Sequence, residues 1–357
     1  MTVTLADIVR EHGGRYCASV PERKILHDIE RCRTERMGGH RYRCRGCGRE
    51  EIAYNSCRNR HCPQCLGTKT GRWLAARVSE LLPTQYYHCV FTLPSELRGI
   101  TLSNRKIVYD LLFKAASETL QEVARGEKHL GAEIGFFGIL HTWTQSLEFH
   151  PHVHFVVPGG GLSKGQWVAK RGKKFFLPVK VLSRVFRGKF IEYLKRASAR
   201  GQIEIGNLEA LLNKACRTPW VVYCKPPFAG PKAVLKYLSR YTHRIAISNR
   251  RLISLKDGQV SFAIRGRRQQ GGSRIMTLPA AEFLRRFLLH RVPMRFTRIR
   301  HFGFLANRGR HKALALLRTV LKVVPQIPES AHPWLVCSSC GDSRWILLTS
   351  VSPHNSS

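Results

Sequence analysis

The sequence predicts a protein of mixed α and β structure, with a cysteine-rich N-terminal block followed by a strand-rich middle. Three observations support this. Two Cys-x-x-Cys pairs lie before residue 66, alternating polar and apolar residues mark strands between 86 and 157, and apolar residues at helical spacing mark helices on both sides. A chain of 357 residues is long enough for two or three domains with a core.

A histidine-rich segment, 150–157, is the most informative strand. Alternation places His150, His152 and His154 on one face and apolar side chains on the other. The preceding strand, 137–145, is joined to it by a bend at 146–149, which is short enough for a hairpin.

Pairing around that bend predicts His141 opposite His154, with Gln145 near His150. A single histidine in a strand is usually solvated or hydrogen-bonded. Several imidazoles at alternating positions can bind one divalent cation, so the hairpin predicts a metal site.

Charge indicates the kind of partner. The chain has 60 Lys and Arg against 23 Asp and Glu, a formal net charge of +37. Such a field favours a polyanion, most simply nucleic acid, and the alternative is an anionic membrane surface. No apolar run of ~18 residues could span a bilayer, and the N-terminus has no signal-peptide pattern. We therefore expect a cytoplasmic protein that binds nucleic acid and does not bind membranes.

The cysteines predict zinc. Twelve cysteines without a secretion signal indicate thiolate ligands rather than disulfides. The pairs Cys44/Cys47 and Cys62/Cys65 are separated by 14 residues, close to four-cysteine zinc spacing, and form the favoured set. Other candidates could replace members of this set or form a second site: Cys32, His40, Cys57 and His61, of which Cys57 and His61 are the preferred additions. Cys337 and Cys340 could be half a metal site, although an incidental turn is the simpler expectation.

The remaining elements follow from periodicity, breakers and caps. A helical N-terminus is expected within 1–31, and an exposed hairpin at 164–174. Helices are predicted at 68–82, 104–123, 180–200, 208–215, 279–290 and 314–324, and strands at 86–93, 220–223, 246–248, 252–254 and 260–265.

A further helix is predicted at 230–244, where Pro231 suits the first turn. Tyr237 and Tyr241 then lie on one face, one turn apart. Basic side chains beside them could bind phosphates: Lys236, Arg240, His243 and Arg244. Packing is the alternative, because Val234 and Leu238 extend the same apolar stripe.

The motifs together resemble those of a known family. Phe91-Thr92-Leu93-Pro94, His152-Val153-His154 and Tyr237-x-x-x-Tyr241 occur in the order of the three motifs of HUH endonucleases. The block 57–65 and the segment 298–307 look like the two-tyrosine transposases of the insertion sequence 91 family, which carry an N-terminal zinc-binding domain. The resemblance runs from about Arg15 to Lys312.

The resemblance implies an HUH-like central antiparallel sheet carrying the histidines. It implies a catalytic Mg²⁺ or Mn²⁺ on His152 and His154, and hairpin geometry selects His141 as third ligand before Gln145, Glu148 and His150. Tyr237 and Tyr241 would be nucleophiles that form a 5′-phosphotyrosine on single-stranded or hairpin DNA ends, in a bacterial, nucleoid-associated enzyme. Further DNA contacts are expected from basic residues in the two family-specific segments: Arg58, Arg60, Arg298 and Arg300.

The expected domains are a zinc-binding domain at 1–83, a catalytic domain at 84–265, a basic helical region at 266–349 and a disordered tail at 350–357. Three alternatives remain open. A plasmid replication initiator or relaxase would share the chemistry, a metal-dependent phosphoesterase would use activated water, and a zinc-dependent DNA-binding protein would have no catalysis. The oligomeric state is not predicted.

Overall fold

A computed structural model describes residues 3–16, 18–65, 67–170, 176–225, 235, 245–265, 272–323 and 336–354. It confirms the mixed α+β class. The helices are α1 Leu5–His12, α2 Val20–Arg31, α3 Gly67–Ser79, α4 Arg98–Ser103, α5 Arg105–Arg125, α6 Val179–Ala199, α7 Leu208–Arg217, α8 Ala280–Leu289 and α9 Arg310–Val320. The strands are β1 Gly39–Cys44, β2 Glu50–Tyr54, β3 Tyr86–Thr92, β4 Phe136–Trp143, β5 Phe149–Pro158, β6 Gly160–Ser163, β7 Gln166–Ala169, β8 Val222–Lys225, β9 Leu252–Lys256, β10 Gln259–Arg265, β11 Ser273–Pro279, β12 Ile299–Phe302 and β13 Trp345–Val351.

The central sheet has five antiparallel strands in the order β12-β4-β5-β3-β8. One face of β5 carries Val153, Phe155 and Val157, as alternation predicts, and is fully buried in the main core. Phe155 packs edge-on against Phe91 of β3, whose ring in turn meets Phe186 of α6. Helices α5 and α6 contact each other and contribute to this core, so this face of the sheet is closed to solvent.

The opposite face of the sheet is divided into two parts. Towards one end, Phe137, Ile139 and Val156 form a second cluster, against which residues of α3 pack. The Trp73 ring of α3 meets the Phe137 ring edge-on at 5.7 Å. The rest of this face carries the histidines, which line a cavity, whereas α3 packs on the apolar part.

The described part of residues 1–83, called the N-terminal unit below, contributes β1 and β2 to a sheet of order β13-β1-β2. In this sheet the C-terminal strand, β13, pairs with β1. Ser350 and Val351 belong to that strand, so the expectation of a disordered tail from residue 350 is wrong for these two residues. These residues form a strand because their backbone pairs with β1, a contact that their composition does not predict. The predicted domain boundaries stay a prediction, although residues 345–351 pair with the N-terminal unit.

Most predicted elements are present within a few residues of their expected bounds. The strand predicted at 246–248 is not formed, and residues 245–248 are irregular. Strands β1, β2, β11, β12 and β13 lie where no strand was predicted. β12 lies in the Arg/His-rich segment 298–307, for which no strand was predicted, and Gly303 allows the chain to turn away with φ of +58°. Among the described residues, no helix is long and apolar enough to cross a membrane.

Candidate active site

Three histidines converge on the face of the central sheet that carries the second cluster. His141 of β4 lies directly opposite His152 of β5, and Ile139 lies opposite His154. The predicted pairing of His141 with His154 is therefore wrong by two residues, because the bend pairs Trp143 with Phe149 and the register shift between His141 and Trp143 moves the pairing back by only one residue. A shift of two keeps every side chain on its face. One candidate ligand nitrogen from each of His141, His152 and His154 lies within 4.8 Å of the other two.

Hydrogen bonds leave one ring nitrogen of His152 and one of His154 for a metal. Nδ1 of His152 lies 2.6 Å from the carbonyl oxygen of His150 and donates to it, so Nε2 carries the lone pair. Nδ1 of His154 lies 2.8 Å from Nε2 of His88. A metal on Nε2 of His154 would require Nδ1 to donate to His88. Partners of this kind orient imidazole ligands in metal sites.

Burial keeps these rings neutral. It lowers the pKa of His152 to about 4 and that of His88 to about 4, and it holds the pKa values of His141 and His154 well below the usual value. Neutral imidazole is the form that binds metal. The site is therefore in its ligating state at neutral pH.

A cavity of about 240 Å³ opens beside the three imidazoles. Trp143, Thr144, Gln145 and His150 complete its lining. The Trp143 ring stacks on His141 at 4.6 Å between centroids. Of the alternative third ligands, Gln145 and His150 face this cavity, whereas Glu148 is exposed and does not line it.

The cysteines form two groups rather than the single predicted set. Cys62 and Cys65 lie with Cys32 and Cys57, whereas Cys44 and Cys47 lie with Cys337 and Cys340. The prediction of one site from Cys44, Cys47, Cys62 and Cys65 is wrong. The reason is that a Cys-x-x-Cys turn presents two sulfurs locally, but the chain path decides which other pair it meets.

The first group supports Cys57 as an addition but not His61. Cys57 and Cys65 have their sulfurs 3.8 Å apart. His61 is buried away from the cluster, where its Nε2 accepts from the Val292 backbone N–H at 3.2 Å and its Nδ1 meets Oδ1 of Asn59. Both ring nitrogens are thus occupied within the protein.

The predicted DNA contacts separate into exposed and internal residues. Arg58 is exposed. Arg298 is 7% exposed, and its Nη2 donates to the Leu140 carbonyl. Arg300 forms an ion pair with Asp110. Neither guanidinium is therefore directed to solvent for DNA, as the prediction requires. Arg60 donates to the Phe296 carbonyl. Six predicted residues lie outside the described residues: Lys236, Tyr237, Arg240, Tyr241, His243 and Arg244.

Leu235 is the one described position within the predicted tyrosine helix. It is 1% exposed and helical, and it packs with Phe137, Ile139 and Val156 on the histidine-bearing face of the sheet.

Comparison with known proteins identifies the family. A family described as "Transposase zinc-binding domain" matches residues 8–93, and one described as "Putative transposase" matches residues 135–313. "Putative transposase y4qJ" of Sinorhizobium fredii is 48% identical over 348 residues, covering 92% of this chain and 87% of the relative. The chain belongs to the transposases of the insertion sequence 91 family.

A second relative agrees with this assignment. The transposase for insertion sequence element IS801 of Pseudomonas savastanoi pv. phaseolicola is 29% identical over 311 residues, covering 83% of this chain and 73% of the relative. Among solved structures, the metal-bound conjugative relaxase TrwC in complex with oriT DNA aligns with 68% of this transposase and 96% of its own chain. That alignment has a TM-score of 0.26 and 11% identity, too low to establish a shared fold.

His88 is a residue of the candidate site that sequence reasoning missed. It belongs to β3 and lies opposite Val156, diagonal to His154 on the same face. A lone histidine in a strand carries little information. The pairing of β3 with β5, together with alternation along both strands, could have indicated the contact.

Proposed function

We propose that this transposase nicks and rejoins single-stranded DNA through a 5′-phosphotyrosine intermediate in rolling-circle transposition. The observation that carries the proposal is the convergence of His141, His152 and His154 beside an open cavity, on the sheet face against which Leu235 packs. Rejoining would restore the DNA without an external energy source, because each phosphodiester is exchanged for another phosphoester.

The donor set fits a divalent cation. Three neutral imidazoles line the cavity, and no carboxylate lines it in the described part of the chain. Imidazole best suits later transition metals such as Fe²⁺, Ni²⁺ and Zn²⁺; Mn²⁺ is the weakest binder of the divalent first-row series, and Mg²⁺ prefers oxygen ligands. When bound, such an ion would act as a Lewis acid on a phosphoryl oxygen. The scarcity of carboxylates argues against a two-metal hydrolase that uses activated water.

Tyr237 and Tyr241 are the proposed nucleophiles. For Tyr237, Leu235 supports this, since two residues of chain span no more than about 7 Å and Leu235 packs on the histidine face. Tyr241 is proposed from the family motif. In the proposed step, the tyrosine oxygen attacks phosphorus, the bond from phosphorus to the 3′ oxygen breaks, and that oxygen leaves as a 3′-hydroxyl. Tyrosine has a pKa of ~10, so basic groups must assist loss of its proton.

A second tyrosine would allow another strand cleavage before the first link is resolved. A 3′-hydroxyl then attacks the phosphotyrosine, forms a new phosphodiester and returns the proton to the tyrosine oxygen. The net charge of +37 favours a polyanionic substrate. Exposed basic residues such as Arg58 are the proposed contacts to the phosphate backbone of the DNA. A zinc ion on Cys32, Cys57, Cys62 and Cys65 would stabilise the N-terminal unit.

The test uses 5′- and 3′-labelled single-stranded oligonucleotides that carry the ends of the element, incubated with the full-length protein and Mn²⁺. Denaturing gels report label attached to protein. We expect an adduct that carries the DNA 3′ of the nick, abolished by the double variant Tyr237→Phe/Tyr241→Phe and by His152→Ala. Tyr54→Phe and His27→Ala are the matched controls, because Tyr54 lies in β2 and His27 is exposed on α2.

The contrary outcomes are specific. Metal-dependent cleavage without an adduct would assign the site to a water-using phosphoesterase. Tight DNA binding with neither cleavage nor adduct, across a wide set of oligonucleotides, would leave a zinc-dependent DNA-binding protein. A plasmid replication initiator would give the same adduct, and family membership favours the transposase.

A further inference from the structure

One of the two cysteine groups contains a pair from the N-terminal unit and a pair from near the C-terminus. We propose that Cys44, Cys47, Cys337 and Cys340 bind a second zinc ion, which fastens the C-terminal segment to the N-terminal unit. One sulfur from each lies within 4.8 Å of the other three. The two family matches end at residues 93 and 313, so neither includes Cys337 or Cys340.

The two pairs have the same local structure. Each reads Cys-x-x-Cys-Gly, with Gly48 at φ +75° and Gly341 at φ +74°. The glycine N–H donates to the carbonyl of the first cysteine in both turns, at 3.0 Å for Gly48 and 2.9 Å for Gly341. Glycine, which has no Cβ, adopts this left-handed conformation at no steric cost.

A further backbone hydrogen bond repeats across the pairs. The N–H of Cys44 donates to the Arg49 carbonyl at 2.8 Å, and the N–H of Cys337 donates to the Asp342 carbonyl at 2.9 Å. Two segments almost 300 residues apart thus form equivalent turns, each presenting two sulfurs to the other. Two equivalent turns whose sulfurs face each other are not expected if the turn at 337–340 is incidental.

The sulfur distances fit a tetrahedral ion and exclude disulfides in this arrangement. Sγ of Cys44 lies 3.5 Å from Sγ of Cys340, and Sγ of Cys47 lies 3.5 Å from Sγ of Cys337. Four thiolates bound at ~2.3 Å around zinc are about 3.8 Å apart, whereas a disulfide is ~2.05 Å long. A slight expansion would therefore accommodate zinc.

The surrounding contacts hold the two turns in register. β13 pairs with β1 so that Trp345 lies opposite Cys44, and the N–H of Arg45 donates to the Arg344 carbonyl at 3.0 Å. Nη1 of Arg49 donates to Oγ of Ser339 at 2.8 Å. These contacts bring guanidinium groups near a site that would carry net negative charge once four thiolates bind zinc.

β13 gains little from apolar burial. Its five central residues are all exposed, including Leu347 at 54%. Backbone pairing with β1 and the cysteine cluster are thus what fix the strand. A metal ion at the cluster would explain how a segment with an exposed apolar surface remains docked.

The experiment measures zinc in the purified full-length protein by mass spectrometry. We expect two zinc ions per chain in the unmodified protein, one in Cys337→Ser/Cys340→Ser, and two in the control Cys216→Ser, which replaces an exposed cysteine outside both groups. Hydrogen exchange of residues 345–351 should become at least about tenfold faster in the double variant, while β5 remains protected.

A conservative variant separates metal binding from folding. Cys340→His retains a zinc ligand, so two ions and slow exchange at β13 are expected to persist. The proposal is overturned if the unmodified protein holds a single zinc ion that the Cys337→Ser/Cys340→Ser variant retains. It is equally overturned if β13 exchanges at the same rate in both proteins. Neither readout depends on DNA cleavage.

Discussion

Nε2 of His88 lies 2.8 Å from Nδ1 of His154, and the two rings are nearly parallel at 8° with centroids 5.0 Å apart. The contact joins β3 to β5 across the histidine-bearing face of the sheet. The contact occupies Nδ1 of His154 and leaves Nε2 for the proposed metal. His88 is therefore a positioning residue, which acts through His154.

Replacing His88 should weaken metal binding. We expect His88→Ala to reduce Mn²⁺ affinity by about 10- to 100-fold, as for other partners that orient metal ligands. His88→Gln should restore part of the affinity, because its amide oxygen can accept from Nδ1 of His154. Titration calorimetry measures both. Tyr223→Phe is the control, since the Tyr223 ring borders His88 at 6.0 Å; equal affinities in all four proteins would contradict the assignment.

Acid should destabilise the protein through histidines that are buried while neutral. Burial lowers the pKa of His290 to about 3, below the unfolded value of ~6.5. Between these values the unfolded state binds more protons, so stability is present above pH ~6.5 and is lost as the pH falls towards 3. For His290, the loss between pH 7.5 and 5 is about 2 kcal/mol.

Urea unfolding of His290→Gln and of the unmodified protein at both pH values tests this. The variant should lose about 2 kcal/mol less than the unmodified protein. Gln can donate to the Leu147 carbonyl and accept from Thr142, as the neutral ring does. His27→Gln, at an exposed site, should behave like the unmodified protein. Identical pH dependence in all three would refute the proposed titration.

Arg58 and Arg298 should differ in their effects on DNA binding. Arg58 is exposed, so Arg58→Ala should reduce the slope of log K against log salt by about 0.7 on single-stranded DNA, if it contacts one phosphate. Arg298 is buried, and its guanidinium lies 5.5 Å from the Trp143 ring. Arg298→Lys should lower stability and leave that slope unchanged. Fluorescence anisotropy over a salt series measures the slopes, and a reversed pattern would place Arg298 at the DNA.

Gly303→Ala should be strongly destabilising. Gly303 has φ of +58°, and a Cβ there would lie 1.7 Å from the Ile134 carbonyl oxygen. Relief requires β12 to move from the sheet edge, at a cost of more than about 2 kcal/mol. Gly188→Ala is the control: it lies in α6 with open space around it and should be neutral or stabilising by up to about 1 kcal/mol. Thermal unfolding compares the two, and similar melting temperatures would contradict the expected clash.

Local patterns predicted the parts of the fold that depend on nearby residues. Alternation placed the β5 histidines on one face because successive side chains in a strand point to opposite sides. The spacing of Cys-x-x-Cys identified the pairs Cys44/Cys47 and Cys62/Cys65, since a single turn presents both sulfurs, whereas Cys32 and Cys57 form no such pair. The pairing of His141 was off by two residues, because the bend geometry that sets the register involves Leu147 in a left-handed conformation.

The sequence by itself determined the candidate metal-ligand types, the histidine face, the Cys-x-x-Cys turns and the charge that favours DNA, because each follows from composition or from residues close in the chain. Only the tertiary structure decided that Cys44 and Cys47 meet Cys337 and Cys340, that His88 contacts His154, and that Arg298 is buried. These depend on which strands pair and which faces are covered. Such contacts join distant segments, and their free energy comes from packing that no local pattern encodes.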